Sequence, residues 1–249
     1  MRLSAFPRPR LRKLDSVVAS QIHLVRHGEV FNPQRVLYGR LPGFGLSDLG
    51  HEMARSAAAE LVERRRSVSA LYASPLQRTQ ESAQPISQAF ELPIITDPRL
   101  IEPTNRFEGL NMRGRSSALK SPRTWPWLRN PTIPTWGEPY ASIKIRMLAA
   151  MSDAYNSVES GDVVLVSHQL PIWTTHLAVA AKPLFHDPRR RRCELSSITS
   201  FERVGNRWFE SGYVDPAADL VRRDQQRSVF TQSPQWHLVK QGLPSGKSR

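Results

Sequence analysis

The chain has 249 residues, of which 39% are hydrophobic, and this is enough to bury the core of one soluble domain, with or without an insertion. No apolar run approaches the roughly 18 residues that a membrane-spanning helix needs, and the single cysteine excludes internal disulfide bonds and suits a reducing, cytoplasmic compartment. The net charge of +13 favours anionic ligands such as phosphate esters, nucleic acid or anionic lipid, although basic tails alone could produce it.

Apolar segments and helical patterns alternate along the chain as they do in α/β domains. The segments with the apolar, β-branched character of strands are 21–25, 68–74, 92–96, 161–167, 195–204 and 207–214. The segments with helical periodicity are 46–66, 74–90, 138–158 and 171–180. We expect the last two strands to pair around Gly205-Asn206.

Capping residues and prolines predict where the helices begin and end. Ser47 is a candidate N-cap for the first helix, and Ser74 for the second, with Pro75 in its first turn, where a missing N–H costs little. Pro85 is expected to end or kink the second helix. The buried face of the third helix is predicted to contain Ile143, Met147, Met151 and Ala154.

Residues 103–139 break this alternation with three tryptophans, several prolines and scattered basic residues. A stretch of this length inside a domain is typical of a cap over a site. We therefore predict a basic, flexible leader at 1–20, a folded domain at 21–215 that carries this cap insertion, and a peripheral polar and basic tail at 216–249.

Two predicted strands end in the same pattern, Leu-Val-x-His, in "IHLVRH" and "VVLVSH". If both belong to one parallel sheet, His27 and His168 emerge together at its carboxyl edge, where open α/β sheets bind ligands. Arg26 precedes His27, and Arg78 lies in the first turn of the helix that follows "LYAS", where an anion is favoured. The convergence of two histidines and two arginines predicts a phosphate pocket that contains a nucleophile.

The motifs "LVRHGE", "SPLQRTQESA" and "VSHQLPI" occur in this order at a spacing that resembles the histidine phosphatase superfamily, also called phosphoglycerate mutase-like. The resemblance runs from about residue 21 to residue 213. It implies a three-layer α/β/α fold with a mostly parallel central sheet, and it makes 21–215 the catalytic domain. It also implies a reaction without a metal ion or other cofactor.

The resemblance gives roles to the catalytic candidates. His27 corresponds to the nucleophile that forms a phosphohistidine, and Arg26, Arg78 and His168 to the groups that hold the phosphoryl oxygens, His168 as a protonated imidazole. Glu102, in "LIEPTNRFEG", corresponds to the general acid. The segment is one residue shorter than the family pattern, so Glu108 stays open as the alternative.

Further residues are predicted to bind the substrate or to support the pocket. The substrate-binding candidates, besides Arg26, Arg78 and His168, are Asn32, Arg40 and Gln169. Glu29 is expected to support the pocket, and Gly28 to let the backbone turn beside the phosphoryl group. The basic residues of the cap suggest a second acidic group on the substrate: Arg106, Arg113, Arg115, Lys120, Arg123 and Arg129. The arginines at 189–192 are interpreted as a solvated loop or a rim that steers anions.

These observations favour a phosphomonoester hydrolase that acts on a small phosphorylated metabolite. A phosphoglycerate mutase is the first alternative, although the Arg-His-Tyr-Gly stretch that follows the mutase acid is replaced here by "PTNRFEG". A non-catalytic phosphate- or nucleic-acid-binding protein of the same fold is the second. We expect a small phosphorylated substrate as the partner and neither membrane nor nucleic acid, while the oligomeric state, including a homodimer, stays open.

Overall fold

The computed structural model describes residues 19–112, 114, 117–130 and 134–231, which form one α/β unit. Its strands are β1 (Ile22–Arg26), β2 (Val68–Ala73), β3 (Ile94–Thr96), β4 (Asp162–Ser167), β5 (Ile198–Val204) and β6 (Arg207–Val214). Its α-helices are α1 (Asp48–Glu63), α2 (Gln77–Phe90), α3 (Tyr140–Asn156), α4 (Gln169–Val179) and α5 (Ala218–Thr231). Short 3₁₀ helices span Pro98–Leu100, Ala118–Lys120, Pro122–Leu128 and Pro188–Arg190.

The strands form one sheet in the order β3-β2-β4-β1-β5-β6. Strands β1 to β4 are mutually parallel, whereas β5 runs antiparallel to β1 and pairs with β6 in the predicted terminal hairpin. The mostly parallel α/β sheet is thereby confirmed. Because β1 lies beside β4, the two Leu-Val-x-His segments end next to each other.

The sheet is buried on both faces, as the near-continuous apolar runs of β1 and β4 require. Alternate residues of one strand point to opposite faces, and Leu24 packs with helices α3 and α4 while Val25 packs with α1 and α2. Helices therefore cover both sides of the sheet. The four residues predicted for the inner face of α3 are all buried: Ile143, Met147, Met151 and Ala154.

The predicted N-cap residue of the first helix is confirmed, and the predicted N-cap residue of the second helix is wrong. Ser47 caps α1 by accepting a hydrogen bond from the Gly50 N–H. Helix α2 begins at Gln77, and Ser74 lies outside it, as does Pro75. The hydroxyl of Ser74 instead contacts Nε2 of His168 at 2.8 Å, and its carbonyl accepts hydrogen bonds from side chains of the helix. Tertiary contacts outweigh the local capping preference here.

Pro85 does not end α2, which continues to Phe90. Ala83 and Ile86, on either side of it, are fully buried in the core cluster on that side of the sheet. Packing of this apolar face offsets the hydrogen bond that a proline removes from a helix. The helix ends instead at Glu91, which adopts a left-handed conformation with φ of 55°.

Residues 103–139 contain two of the 3₁₀ helices and no longer regular element among the described positions. Trp127 packs edge-on against the buried Phe107, with ring centroids 5.2 Å apart, whereas Trp125 is exposed. The function of this segment as a cap stays a prediction.

Some residues that the sequence assigned to the leader and to the tail belong to the described structure. Ala19, assigned to the leader, is buried and donates its N–H to the carbonyl of Tyr155. Residues 218–231, assigned to the tail, form α5, which lies against α1. The rest of the leader, 1–18, and of the tail, 232–249, lie outside the described residues. Within the described part of the chain, no helix is long and apolar enough to cross a bilayer.

The amino-terminal ends of β1 and β4 are joined by a buried polar cluster. His23 on β1 lies 3.1 Å from the Asp162 carboxylate on β4, and Arg66 donates two hydrogen bonds to that carboxylate. Burial alone would raise the pKa of Asp162, but the hydrogen bonds from Arg66 and His23 outweigh it and lower the pKa to about 2. The ionised carboxylate is therefore the stable form in the fold.

Replacing Asp162 with Asn should lower the free energy of unfolding at pH 7 by about 2–3 kcal/mol, because it leaves Arg66 and His23 without their anion. The carboxyl pKa is lower in the fold than the roughly 3.9 of an unfolded chain. Its stabilising contribution is therefore complete above about pH 5 and is lost as the pH falls towards 2. Urea unfolding of wild type and Asp162→Asn between pH 7 and pH 3 should show the two curves converging.

Asp153→Asn is the matched control, because Asp153 pairs with Arg99 at an exposed position. Its loss of stability should stay below about 1 kcal/mol. A loss for Asp162→Asn that is equally small, or that does not change with pH, would contradict the role assigned to this cluster.

Candidate active site

The carboxyl ends of β1, β4 and β2 bring the predicted residues together. Arg26 is in register with Ser167, so His27 and His168 follow the two strands side by side, with ring centroids 5.2 Å apart. Ser74 follows the neighbouring strand β2, and its N–H donates to the carbonyl of Val166. The sheet itself, rather than any loop, sets the separation of the two imidazoles.

The hydrogen bonds of His27 fix which of its ring nitrogens is free. Nδ1 lies 2.7 Å from the carbonyl oxygen of Gly28, which can only accept, so Nδ1 carries the proton and Nε2 the lone pair. Burial, followed by the charges of Arg26 and Arg78, holds the pKa of His27 well below its ordinary value. The side chain is thus a neutral imidazole with an available nitrogen at neutral pH.

Close backbone packing next to His27 requires glycine. A Cβ added to Gly28 would lie 2.4 Å from the carbonyl oxygen of Gly50, at the start of α1. Glu29 accepts a hydrogen bond from the hydroxyl of Ser47 at 2.6 Å, and its carbonyl accepts the Ser47 N–H. Glu29 therefore holds the N-terminus of α1 against the segment that follows β1.

Two arginines with unsatisfied donors lie beside the imidazoles. Arg26 donates from Nη1 to the carbonyl of Cys193 at 2.6 Å, and Arg78 donates from Nη2 to the carbonyl of Gly39 at 2.8 Å. The Nε atoms of both are buried, and no described residue accepts a hydrogen bond from either. Arg78 also stacks on Tyr38, with Cζ 4.8 Å from the ring centre. Buried N–H groups of cations without acceptors are suited to bind an anion.

His168 is neutral in this arrangement. Its Nδ1 lies 3.2 Å from Nη2 of Arg78, which can only donate, so Nδ1 accepts and Nε2 carries the proton that is donated to the Ser74 hydroxyl. Burial, then the neighbouring His27 and arginines, holds the pKa of His168 well below its ordinary value. The protonated form that the sequence predicted would thus need an incoming anion to stabilise it.

Glu102 faces the same cavity as His27. Its Oε2 lies 3.6 Å from Nδ1 of His168, and its backbone carbonyl accepts a hydrogen bond from Nε of Arg40 at 2.5 Å. Burial raises the pKa of Glu102, although the charges of Arg78 and Arg191 oppose the rise. A carboxyl group in this environment retains its proton to a higher pH than an exposed one, as a general acid requires.

Glu108, the alternative acid, is used differently. Its Oε1 accepts the N–H of Asn105 at 3.1 Å, and its side chain packs where a Cβ of Gly39 would stand. It lines a separate, more open hollow and not the cavity that contains His27. The geometry therefore favours Glu102 over Glu108.

The three remaining substrate-binding candidates differ in their placement. Asn32 makes both of its side-chain hydrogen bonds to the backbone of Val36 and does not line the cavity. Arg40 contacts Glu102 and Glu138 and likewise does not line it. Gln169, the first residue of α4, does line it. The structure thus gives Asn32 a local role in its loop and Arg40 a role in holding Glu102.

A cavity of about 360 Å³ opens onto His27. Its charged lining residues are Arg26, Arg191, Glu102 and Glu138. Much of the remaining wall is apolar or aromatic and includes Leu37, Met112, Trp136, Tyr140 and Leu170. Arg78 and His168 are buried and contact residues of the cavity wall without lining it themselves.

Three residues of the site carried no sequence signal that separated them from their neighbours. Ser74 binds His168 but was interpreted as a helix cap. Tyr38, two residues before Arg40, stacks on Arg78 and was not singled out by the sequence. Arg191 belongs to the arginine run at 189–192, where Arg189 pairs with Asp187 and Arg192 with Glu210 while Arg191 turns to the cavity.

The described residues contain no group of three or more histidine, cysteine, aspartate or glutamate side chains that could hold a metal ion. The two arginines beside the imidazoles and Glu102 disfavour a cation at this point. That the reaction needs no metal ion stays a prediction.

Comparisons with known proteins agree with this arrangement. The sequence profile of the histidine phosphatase superfamily (branch 1) matches residues 22–216. The uncharacterized protein Rv0525 of Mycobacterium tuberculosis is 49% identical over 199 residues, which cover 80% of this chain and 98% of that protein. A probable phosphoglycerate mutase, GpmB of Enterobacter sp. (strain 638), is 32% identical over 213 residues, and the match covers 82% of this chain and 95% of that protein.

Solved structures show the same fold at lower sequence identity. YhfR of Bacillus stearothermophilus superimposes with a TM-score of 0.65 at 24% identity, covering 77% of this chain and 95% of that chain. The mycobacterial glucosyl-3-phosphoglycerate phosphatase Rv2419c has a TM-score of 0.61 at 22% identity, covering 77% and 97%. Together with the profile match and the paired histidines at the sheet edge, these similarities show that the chain belongs to the histidine phosphatase superfamily.

Proposed function

We propose that this protein hydrolyses the phosphomonoester of a small metabolite through a phosphohistidine at His27. The observation that carries the proposal is the hydrogen bond from Nδ1 of His27 to the carbonyl of Gly28, because it leaves the lone pair of Nε2 available at the cavity. The low pKa of this imidazole keeps that lone pair free of a proton at neutral pH.

In the first half of the reaction, Nε2 of His27 attacks phosphorus and the bond from phosphorus to the ester oxygen breaks. Arg26, which lines the cavity, supplies positive charge and a free Nε–H donor for the phosphoryl oxygens, and Arg78 adds positive charge from behind the cavity wall. Glu102 transfers its proton to the departing oxygen, so the alcohol leaves neutral and Glu102 becomes a carboxylate.

In the second half, water attacks the phosphohistidine. The Glu102 carboxylate takes a proton from this water, the bond from Nε2 to phosphorus breaks, and inorganic phosphate leaves. His27 is returned as the neutral imidazole and Glu102 as the acid, so protons and charge balance over the cycle. The approach of the phosphoryl dianion also favours a second proton on His168, which lies between Arg78 and Glu102.

Replacing His27 with Ala should reduce phosphate release by roughly a thousandfold or more, because it removes the nucleophile. Phosphate release should be measured on a panel of esters that includes 3-phosphoglycerate, with 2-phosphoglycerate followed as a product. Wild type incubated with radiolabelled ester and quenched rapidly should carry an acid-labile, alkali-stable label that His27→Ala lacks. His51→Ala, at an exposed position on α1, should behave as wild type.

Isomerisation of 3-phosphoglycerate without net phosphate release would instead identify a mutase. Anion binding that survives His27→Ala, without turnover of any ester by wild type, would identify a non-catalytic binding protein. Either result would overturn the proposed hydrolysis.

Replacing Glu102 with Gln should slow the hydrolysis of alkyl phosphates by about a hundredfold or more, because a poor leaving group needs the proton. The loss should be much smaller for 4-nitrophenyl phosphate, whose leaving group departs as an anion. The ratio of kcat/KM for the two ester types measures the effect. Glu108→Gln should leave this ratio unchanged, and a change with Glu108→Gln alone would move the acid to that residue.

A further inference from the structure

A second cation, Arg191, lines the cavity together with Arg26. It follows the short 3₁₀ helix Pro188–Arg190, which turns its side chain away from the solvent that surrounds Arg189 and Arg190. Its Nε donates to Nε2 of His186 at 2.8 Å, and its Nη1 donates to Oε1 of Gln169 at 3.3 Å. Both partners are neutral groups when His186 accepts this bond.

Arg191 forms no ion pair with any described carboxylate, and no described residue accepts a hydrogen bond from its Nη2. The neighbouring Arg189 and Arg192 each have a carboxylate partner. Burial lowers the pKa of Arg191, yet a guanidinium starts so far above neutral pH that it stays charged. A partly buried guanidinium without a counterion at a cavity wall is uncommon and suits an anionic ligand.

The other acidic residues of the cavity do not supply that counterion. Glu138 pairs with Arg146, through bonds of 2.8 and 3.0 Å. Glu102 is the carboxyl group whose charge acts most on Arg191, but in the proposed reaction it holds a proton when substrate binds. The positive charge of Arg191 is then unbalanced at the moment of substrate binding.

The cap was predicted to hold the second acidic group of the substrate, and its described basic residues do not support that. Arg106, Lys120, Arg123 and Arg129 are all exposed, and none lines the cavity. Arg113 and Arg115 lie outside the described residues. The second cation of the cavity comes instead from the segment before β5.

We propose that Arg191 binds a second anionic group of the substrate, and that an apolar portion joins this group to the phosphate ester. Leu37, Met112, Trp136 and Leu170 provide the apolar wall for that connecting portion. The inference rests on the proposed phosphatase function and names its substrate class as acidic, apolar-bodied phosphomonoesters.

A positioning role is the competing explanation. Gln169 accepts from Arg191 and donates to the carbonyl of Cys193 at 3.4 Å, and Arg26 donates to that same carbonyl. Arg191 could therefore act on the phosphoryl pocket through Gln169. A loss of activity by itself would not separate the two roles, so the substrates must differ in the second group alone.

The test uses isosteric pairs of esters, 3- and 4-carboxyphenyl phosphate against the corresponding carbamoylphenyl phosphates. In the pair with the larger difference, wild type should hydrolyse the carboxyphenyl phosphate with a kcat/KM roughly tenfold or more above that of the carbamoylphenyl phosphate. The difference should arise mainly from a lower KM. Arg191→Met should reduce the ratio to about one and leave the carbamoyl esters nearly unaffected. Arg190→Met, which removes the same charge from an exposed neighbour, should keep the wild-type ratio.

The outcomes distinguish this inference from the function on which it rests. If both esters are hydrolysed and the kcat/KM ratio of carboxyl to carbamoyl ester is the same in wild type and Arg191→Met, the second-anion site is overturned. The proposed phosphatase function would still stand. An equal loss on both esters in Arg191→Met would assign Arg191 to positioning and also overturn it. If wild type hydrolysed no ester, the proposed function would fail, and calorimetric binding of the same pairs to wild type and Arg191→Met would still decide the second-anion site.

Discussion

The burial of positive charge at the carboxyl end of the sheet is the constraint on which the site depends. Arg78 is 1% exposed and His27 2% exposed, and the described carboxyl group closest to the imidazoles is Glu102, whose own pKa is raised. An unpaired buried cation is costly, and neutral imidazoles avoid adding to that cost. Burial and the neighbouring positive charges keep both imidazoles neutral, whereas burial raises the pKa of Glu102 against those same charges. The guanidinium groups of Arg26 and Arg78 keep unsatisfied Nε–H donors.

Strands β1 and β4 hold this arrangement in place at both of their ends. At the amino end, His23 and Asp162 connect the two strands, and Arg66 completes the charge balance. At the carboxyl end, the same two strands present His27 and His168 without a balancing anion. Between these two polar ends, apolar side chains cover both faces of the sheet. The sheet thus carries a satisfied polar cluster at its amino end and, at its carboxyl end, a cluster with guanidinium donors that lack acceptors.

The sequence predicted the parts of the molecule that local patterns determine. Near-continuous apolar runs identified β1 and β4, and the shared Leu-Val-x-His pattern placed His27 next to His168. It could not predict Ser74, because its contact with His168 joins residues 94 positions apart and competes with an ordinary capping preference. Arg191 was equally hidden, since four consecutive arginines look alike until tertiary structure turns one of them inward. For Asn32 the sequence could not separate a substrate contact from its bonds to the Val36 backbone, because an asparagine after a motif can satisfy its own loop as readily as a ligand.

The residues proposed for catalysis and those proposed for substrate selection lie in different parts of this chain. The imidazoles and Arg26 are fixed by the sheet, and Glu102 is held through its backbone by Arg40, so the phosphoryl site can change little without loss of the fold. Arg191 and the apolar wall come from connecting segments outside the sheet, where substitutions disturb few core contacts. If the proposed roles hold, a change in Arg191 alters which ester is accepted before it alters the chemistry. This separation explains how one rigid phosphoryl site can be combined with a cavity whose size and charge are set independently.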